Sequence, residues 1–143
     1  MSTIINRLTL LALFYYGLLS VASSIPGRVL AEVGFRLWDK AIHFGAYFVL
    51  GLLLFLGIQK SRKIRSTLAV FFIIGLSTIL LGTLDEIHQL FVQGRSSSFG
   101  DTLADTLGSI TGALTAHLAA ILLSRQMKLG PPAAESRRRD SRS

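Results

Sequence analysis

The stretch from Asp85 to Asp105, DEIHQLFVQGRSSSFGDTLAD, holds four carboxylates, one histidine, two amides and one arginine between two long apolar runs. Carboxylates and histidine move protons or hold cations, and arginine binds oxyanions. A second group lies upstream in LWDKAIHFGAYFVLG, Leu37 to Gly51. There Asp39, His43 and Tyr47 recur at every fourth position, so a helix stacks them on one face, with Tyr47 about 12 Å deeper than Asp39. Lys40 begins a neighbouring face, and its long stem lets the ammonium reach the surface. Asp85 and Gln89 share the same four-residue spacing, and Leu84, Ile87, Leu90 and Phe91 form an apolar stripe. The helix carrying Asp85 and Glu86 therefore continues past them or turns along the interface, with His88 on a different face. Asp101 and Asp105 open a further helix, and Gly108 and Gly112 continue their face. That glycine spacing lets a neighbouring helix approach closely.

The elements that must position these residues are apolar spans. The charge-free runs lie at about 8–25, 41–59, 66–84 and 104–124, with His43 and His117 as their only ionisable groups apart from Asp105. Each is roughly 18–20 residues, enough to cross a hydrocarbon core of about 30 Å as a helix. Backbone groups in that core must bond internally, which requires helices. The expected fold is an all-α membrane protein, a compact bundle of four transmembrane helices over residues 1–127. A basic tail over 128–143, with two prolines and dense charge, is expected to be disordered. The small residues of SVASSIPG, after Arg7 and the first apolar run, also fit a signal peptide with a cleavage site, which would leave three spans.

Fifteen Lys and Arg against eight Asp and Glu give a formal charge of +7. Most of that excess flanks apolar spans, so it reads as a topology signal and not as a nucleic-acid surface. Lys60, Arg62, Lys63 and Arg65 follow the second span, and Arg125, Lys128, Arg137, Arg138, Arg139 and Arg142 follow the fourth. The positive-inside rule places both termini and the middle connection in the cytoplasm, and the polar clusters outside. The absence of cysteine excludes disulfides and thiolate chemistry. There is no phosphate-binding loop, no His-Glu-x-x-His motif and no nucleophile elbow. Ser96 to Ser98 read as a flexible outer loop, and His117 as a packing residue.

Three outer clusters on three helices thus share one membrane face. Interfacial anchoring explains Trp38, and the helix dipole explains Asp101, but a histidine inside a span needs a partner. Salt bridges to Lys40, His43 or Arg95, shared protons, or a divalent cation at the outer carboxylates would each relieve the repulsion among the acids.

The ordered set Asp39-Lys40, His43, Tyr47, Gly51, Asp85-Glu86, Gln89, Gly94-Arg95, Asp101, Gly108 and Gly112 resembles the VanZ-like family of small bacterial membrane proteins. The resemblance spans the second to fourth helices. Asp105 departs from it, because many members carry Asn there. It implies a multi-pass protein of the bacterial cytoplasmic membrane, and the founding member is associated with resistance to the glycopeptide teicoplanin. It implies no established reaction, and a shared fold does not carry a shared function.

Three functions fit these residues. In the first, an outward pocket binds or acts on an envelope lipid or a lipid-linked cell-wall precursor. Asp85 or Glu86 then serves as base or cation ligand, His43 as proton partner, and Lys40 and Arg95 as anion-binding groups. Asp39, Tyr47, Gln89, Asp101 and Asp105 complete the binding set. The second is a small transporter or lipid translocator, which so few spans would build as an oligomer. The third is a noncatalytic scaffold for envelope enzymes.

Overall fold

The computed structural model describes residues 6–32, 38–61 and 64–129. Arg36, Arg62, Lys63 and the tail from 130 onward lie outside the described residues. Five helices follow in order: α1 Arg7–Ser23, α2 Gly27–Glu32, α3 Asp39–Ser61, α4 Thr67–Gln89 and α5 Phe99–Leu129. No strand occurs among the described residues.

Local chemistry sets the helix ends, and it moves several of them from their expected places. Asn6 caps α1 by accepting from the Leu8 and Thr9 amides at 3.0 and 3.1 Å. α1 stops at Ser23, short of the expected Ile25, and Pro26 follows with no amide to donate. α4 continues through Asp85 and Glu86 to Gln89, the first of the two expected courses, with the Ser23 hydroxyl donating to Asp85 and the Ser98 amide to Glu86. α5 begins at Phe99, two residues before the Asp101 expected to open it and ahead of the apolar span from about 104, with the Asp101 amide donating to the Ser98 carbonyl at 2.9 Å. It also runs through Leu129, so its last two residues fall within the stretch expected as tail. The short α2 was not anticipated in the first connection.

α3, α4 and α5 are long and apolar enough to cross a membrane by length and composition. α1 is a shorter apolar helix of 17 residues, which at the helical rise spans about 25 Å, roughly a turn less than a hydrocarbon core. Burial runs opposite to that of a water-soluble domain. Leu68, Phe72, Leu80 and Leu122 are exposed, whereas Asp85, Glu86, Gln89, Asp101 and Asp105 are buried. Such a surface suits lipid, and such an interior must satisfy its polar groups from within.

α3 and α5 form the closest crossing. A Cβ on Gly108 would strike the Phe44 carbonyl, one on Gly112 the Phe48 carbonyl, and one on Gly51 the Ser109 backbone. The small-residue stripe read from the sequence is therefore a near-contact of two backbones. Below the crossing, Phe55, Val70, Ile74, Ala113 and Ala116 form an apolar core. The His117 ring packs edge-on against Phe55 and Phe71, with ring centroids at 5.5 and 6.1 Å, in keeping with a packing role.

Gly108→Val and Gly112→Val are expected to force α3 and α5 apart, at a cost of about 1–3 kcal/mol or more. Gly45→Ala, where an added Cβ meets nothing within 4 Å, is expected to be neutral or slightly stabilising. Thermal unfolding midpoints in detergent would separate the two outcomes.

Candidate functional site

At the outer-cluster end of the bundle, the crossing of α3 and α5 aligns two acid-bearing helix faces. His43 Nδ1 lies 2.9 Å from Asp105 Oδ1, with the Asp105 side chain fully buried. An ionised Asp105 only accepts, so the contact favours the tautomer with its proton on Nδ1. Nε2 faces Asp39 Oδ1 at 3.9 Å, and Arg95 Nη1 approaches that same oxygen at 3.7 Å. Lys40 Nζ pairs with Asp101 Oδ1 at 2.8 Å and donates to Ser98 Oγ at 3.3 Å.

α4 supplies the second half of the network. Asp85 accepts from Ser23 Oγ at 2.6 Å on one oxygen and from Gln89 Nε2 at 2.9 Å on the other. Glu86 accepts from the Ser98 amide and so ties the loop before α5 to the end of α4. The expectation of a free outer loop at Ser96 to Ser98 therefore changes: Ser98 is anchored. The first connection closes against the third, where the Gly27 amide donates to the Gln93 carbonyl at 3.1 Å. Gly94, at φ 77°, holds the left-handed turn that brings this carbonyl into place.

A cavity of about 250 Å³ opens among α1, α3, α4 and the loop of Arg95. Leu19, Ala22, Ile25, Ile42 and Ala46 give it an apolar wall; Asp39, His43, Tyr47, Asp85 and Arg95 give it a polar end. The Tyr47 hydroxyl and Arg95 Nε are buried there and find no hydrogen-bond partner among the described residues.

All ten residues singled out from the sequence meet at this end, in three positions. Asp39, His43, Tyr47, Asp85 and Arg95 line the cavity. Asp105 and Gln89 stand behind it, holding His43 and Asp85. Lys40, Asp101 and Glu86 fasten the start of α5 to α3 and α4. Glu86 does not line the cavity, and both Asp85 oxygens already accept hydrogen bonds.

The VanZ/LLP1 family model matches residues 2–122. The chain belongs to the VanZ/LLP1 family. No curated protein and no solved structure matches it.

In this VanZ/LLP1 member the match extends over α1, beyond the second to fourth helices whose residues carry the resemblance. Sequence reasoning also missed Ser23, the α1 donor to Asp85, and Ser24, whose hydroxyl lies 2.9 Å from His88 Nε2. The available signal was the serine cluster in SVASSIPG, at the same membrane face as the acids. Its small residues also fit a cleavage site, the rival to the transmembrane reading of this segment. Asp105 supplies the partner for His43.

Asp105→Ala is expected to leave the His43 N–H without an acceptor and to cost about 1–3 kcal/mol of stability. Asp105→Asn keeps an amide oxygen in place and is expected to cost less. A double-mutant cycle of His43→Ala with Asp105→Ala, measured by unfolding in detergent, is expected to give a coupling of about 0.5–3 kcal/mol.

Proposed function

We propose that this VanZ/LLP1 member binds the polar head of an envelope lipid, or of a lipid-linked cell-wall precursor, in the cavity between α1, α3 and α4. The observation that carries this reading is the cavity's two-sided character. An apolar wall for a chain meets a polar end in which the Tyr47 hydroxyl and Arg95 Nε are buried without partners. Buried donors are expensive to leave unmade, and a ligand oxygen would satisfy both. His43, oriented by Asp105, presents an imidazole at that polar end, and Asp39 and Asp85 shape the rest of it. Contact with a cell-wall precursor is also how this site would bear on a glycopeptide such as teicoplanin.

The reading includes a topology. All four longer helices cross the bacterial cytoplasmic membrane, α1 with some local thinning, and both termini face the cytoplasm. The site then faces outward. The chain lacks cysteine, so single labels are clean. Ser96→Cys is expected to react with an impermeant maleimide in intact cells, and Gln126→Cys only after the membrane is opened.

Native mass spectrometry of the purified protein tests the binding reading. Wild type is expected to retain an envelope lipid. Tyr47→Phe and Arg95→Gln are expected to weaken retention about 10–100-fold, the effect of losing about 1.5–3 kcal/mol from a hydrogen bond to a charged group. Leu68→Ala, on the lipid-facing surface, should leave it unchanged. Equal lipid occupancy in all four proteins would reject the proposal.

A further inference from the structure

Acids are dense at this end of the bundle. Asp39, Asp85, Glu86, Asp101 and Asp105 gather there, and among the described residues Lys40 and Arg95 are the cations that pair with them, with His43 set against Asp105. Carboxylates in such surroundings require a compensating cation or protons.

Three of these residues already have the geometry of ligands. Asp39, His43 and Asp101 each offer one atom, and the three atoms lie within 4.8 Å of one another. The His43 side chain is nine-tenths buried; among the described residues its Nε2 makes no hydrogen bond, and it lies 3.9 Å from Asp39 Oδ1. Behind it Asp105 accepts from Nδ1 at 2.9 Å. A buried carboxylate on the far nitrogen of an imidazole is the arrangement that orients metal-binding histidines and raises their basicity.

We propose that His43 Nε2, Asp39 and Asp101 bind one divalent transition-metal cation beside the cavity, with Asp105 positioning His43. One imidazole and two carboxylates suit zinc or manganese better than magnesium, which avoids nitrogen ligands. Lys40 holds an Asp101 oxygen at 2.8 Å, but its side chain is 65% exposed, so the ammonium swings into water at little cost when the metal arrives. Three protein ligands leave a position open to an outside oxygen. The cation therefore lets an acid-rich pocket accept an anionic group, a phosphate or carboxylate on the amphiphile's head. This last consequence rests on the function proposed above; the cation site itself does not.

Calorimetric titration of chelator-stripped, tag-free protein in detergent with zinc or manganese alone tests the site. One saturable equivalent is expected in wild type. His43→Gln should abolish it, and Asp39→Asn should weaken it at least tenfold. Asp105→Asn should weaken it about 10–100-fold, the usual effect of losing an outer partner. Asp39 is 40% exposed, so Asp39→Asn keeps the test open if His43→Gln fails to fold. Thermal midpoints identify folded variants. No saturable binding by folded wild type, or undiminished binding in Asp39→Asn, overturns the site. Lipid retention is then compared with and without metal. Retention lost on stripping and restored by metal supports the anionic head group. Equal retention in both overturns that consequence alone, while the calorimetric result still decides the site.

Discussion

The near-contact of α3 and α5 is the constraint on which the rest of this end of the protein depends. Helices usually pack with their axes 8–10 Å apart, the spacing depending on the side chains between them. Here the missing Cβ atoms of Gly51, Gly108 and Gly112 let backbone meet backbone. That closeness carries His43 to within 2.9 Å of Asp105. It also brings Lys40 onto Asp101. The His43–Asp105 pair is deep enough for each to need the other, since an unmatched ionisable group inside a membrane protein is costly, whereas the Lys40 side chain reaches Asp101 from the exposed edge. The glycine stripe and the ion pairs thus form one device: the first sets the distance and the second makes use of it.

The bundle is polar within and apolar without. Water-soluble packing gains from hiding leucine and phenylalanine, but helices surrounded by hydrocarbon gain nothing from that and rely on packing and internal hydrogen bonds. The deep Thr78–Ser109 hydroxyl contact at 2.9 Å fits this logic. So do the tyrosines of α1, where Tyr15 donates to the Ala46 carbonyl and Tyr16 to the Leu81 carbonyl. α1 is consequently a working wall of the cavity, even though it is shorter than the other apolar helices.

The connections serve the site as well. Glu86 holds the Ser98 amide, the Gly27 amide holds the Gln93 carbonyl, and Arg95 reaches back to Asp39. These links pull the loops over the polar end, so that Arg95 lines a cavity instead of standing in solvent.

Much of this was legible in the residues alone. Hydropathy patterning specifies long apolar helices, because a bilayer demands about twenty apolar residues per crossing. Four-residue spacing puts Asp39, His43 and Tyr47 on one face, because helix geometry is local. The family was legible too, from the order of separated polar positions. The pairing was not legible. Spacing along a chain does not say which acid meets His43, and only the crossing of α3 with α5 selects Asp105 over Asp85. Nor does it say that Ser23, from the helix with the plainest sequence, completes Asp85, or that Glu86 grips a loop rather than lining a cavity. Those outcomes depend on contacts between residues distant in the chain, 62 positions for His43 with Asp105 and for Ser23 with Asp85, and 12 for Glu86 with Ser98. Sequence determined which groups sit at that end of the membrane bundle; tertiary packing decided which of them face one another and which face the cavity.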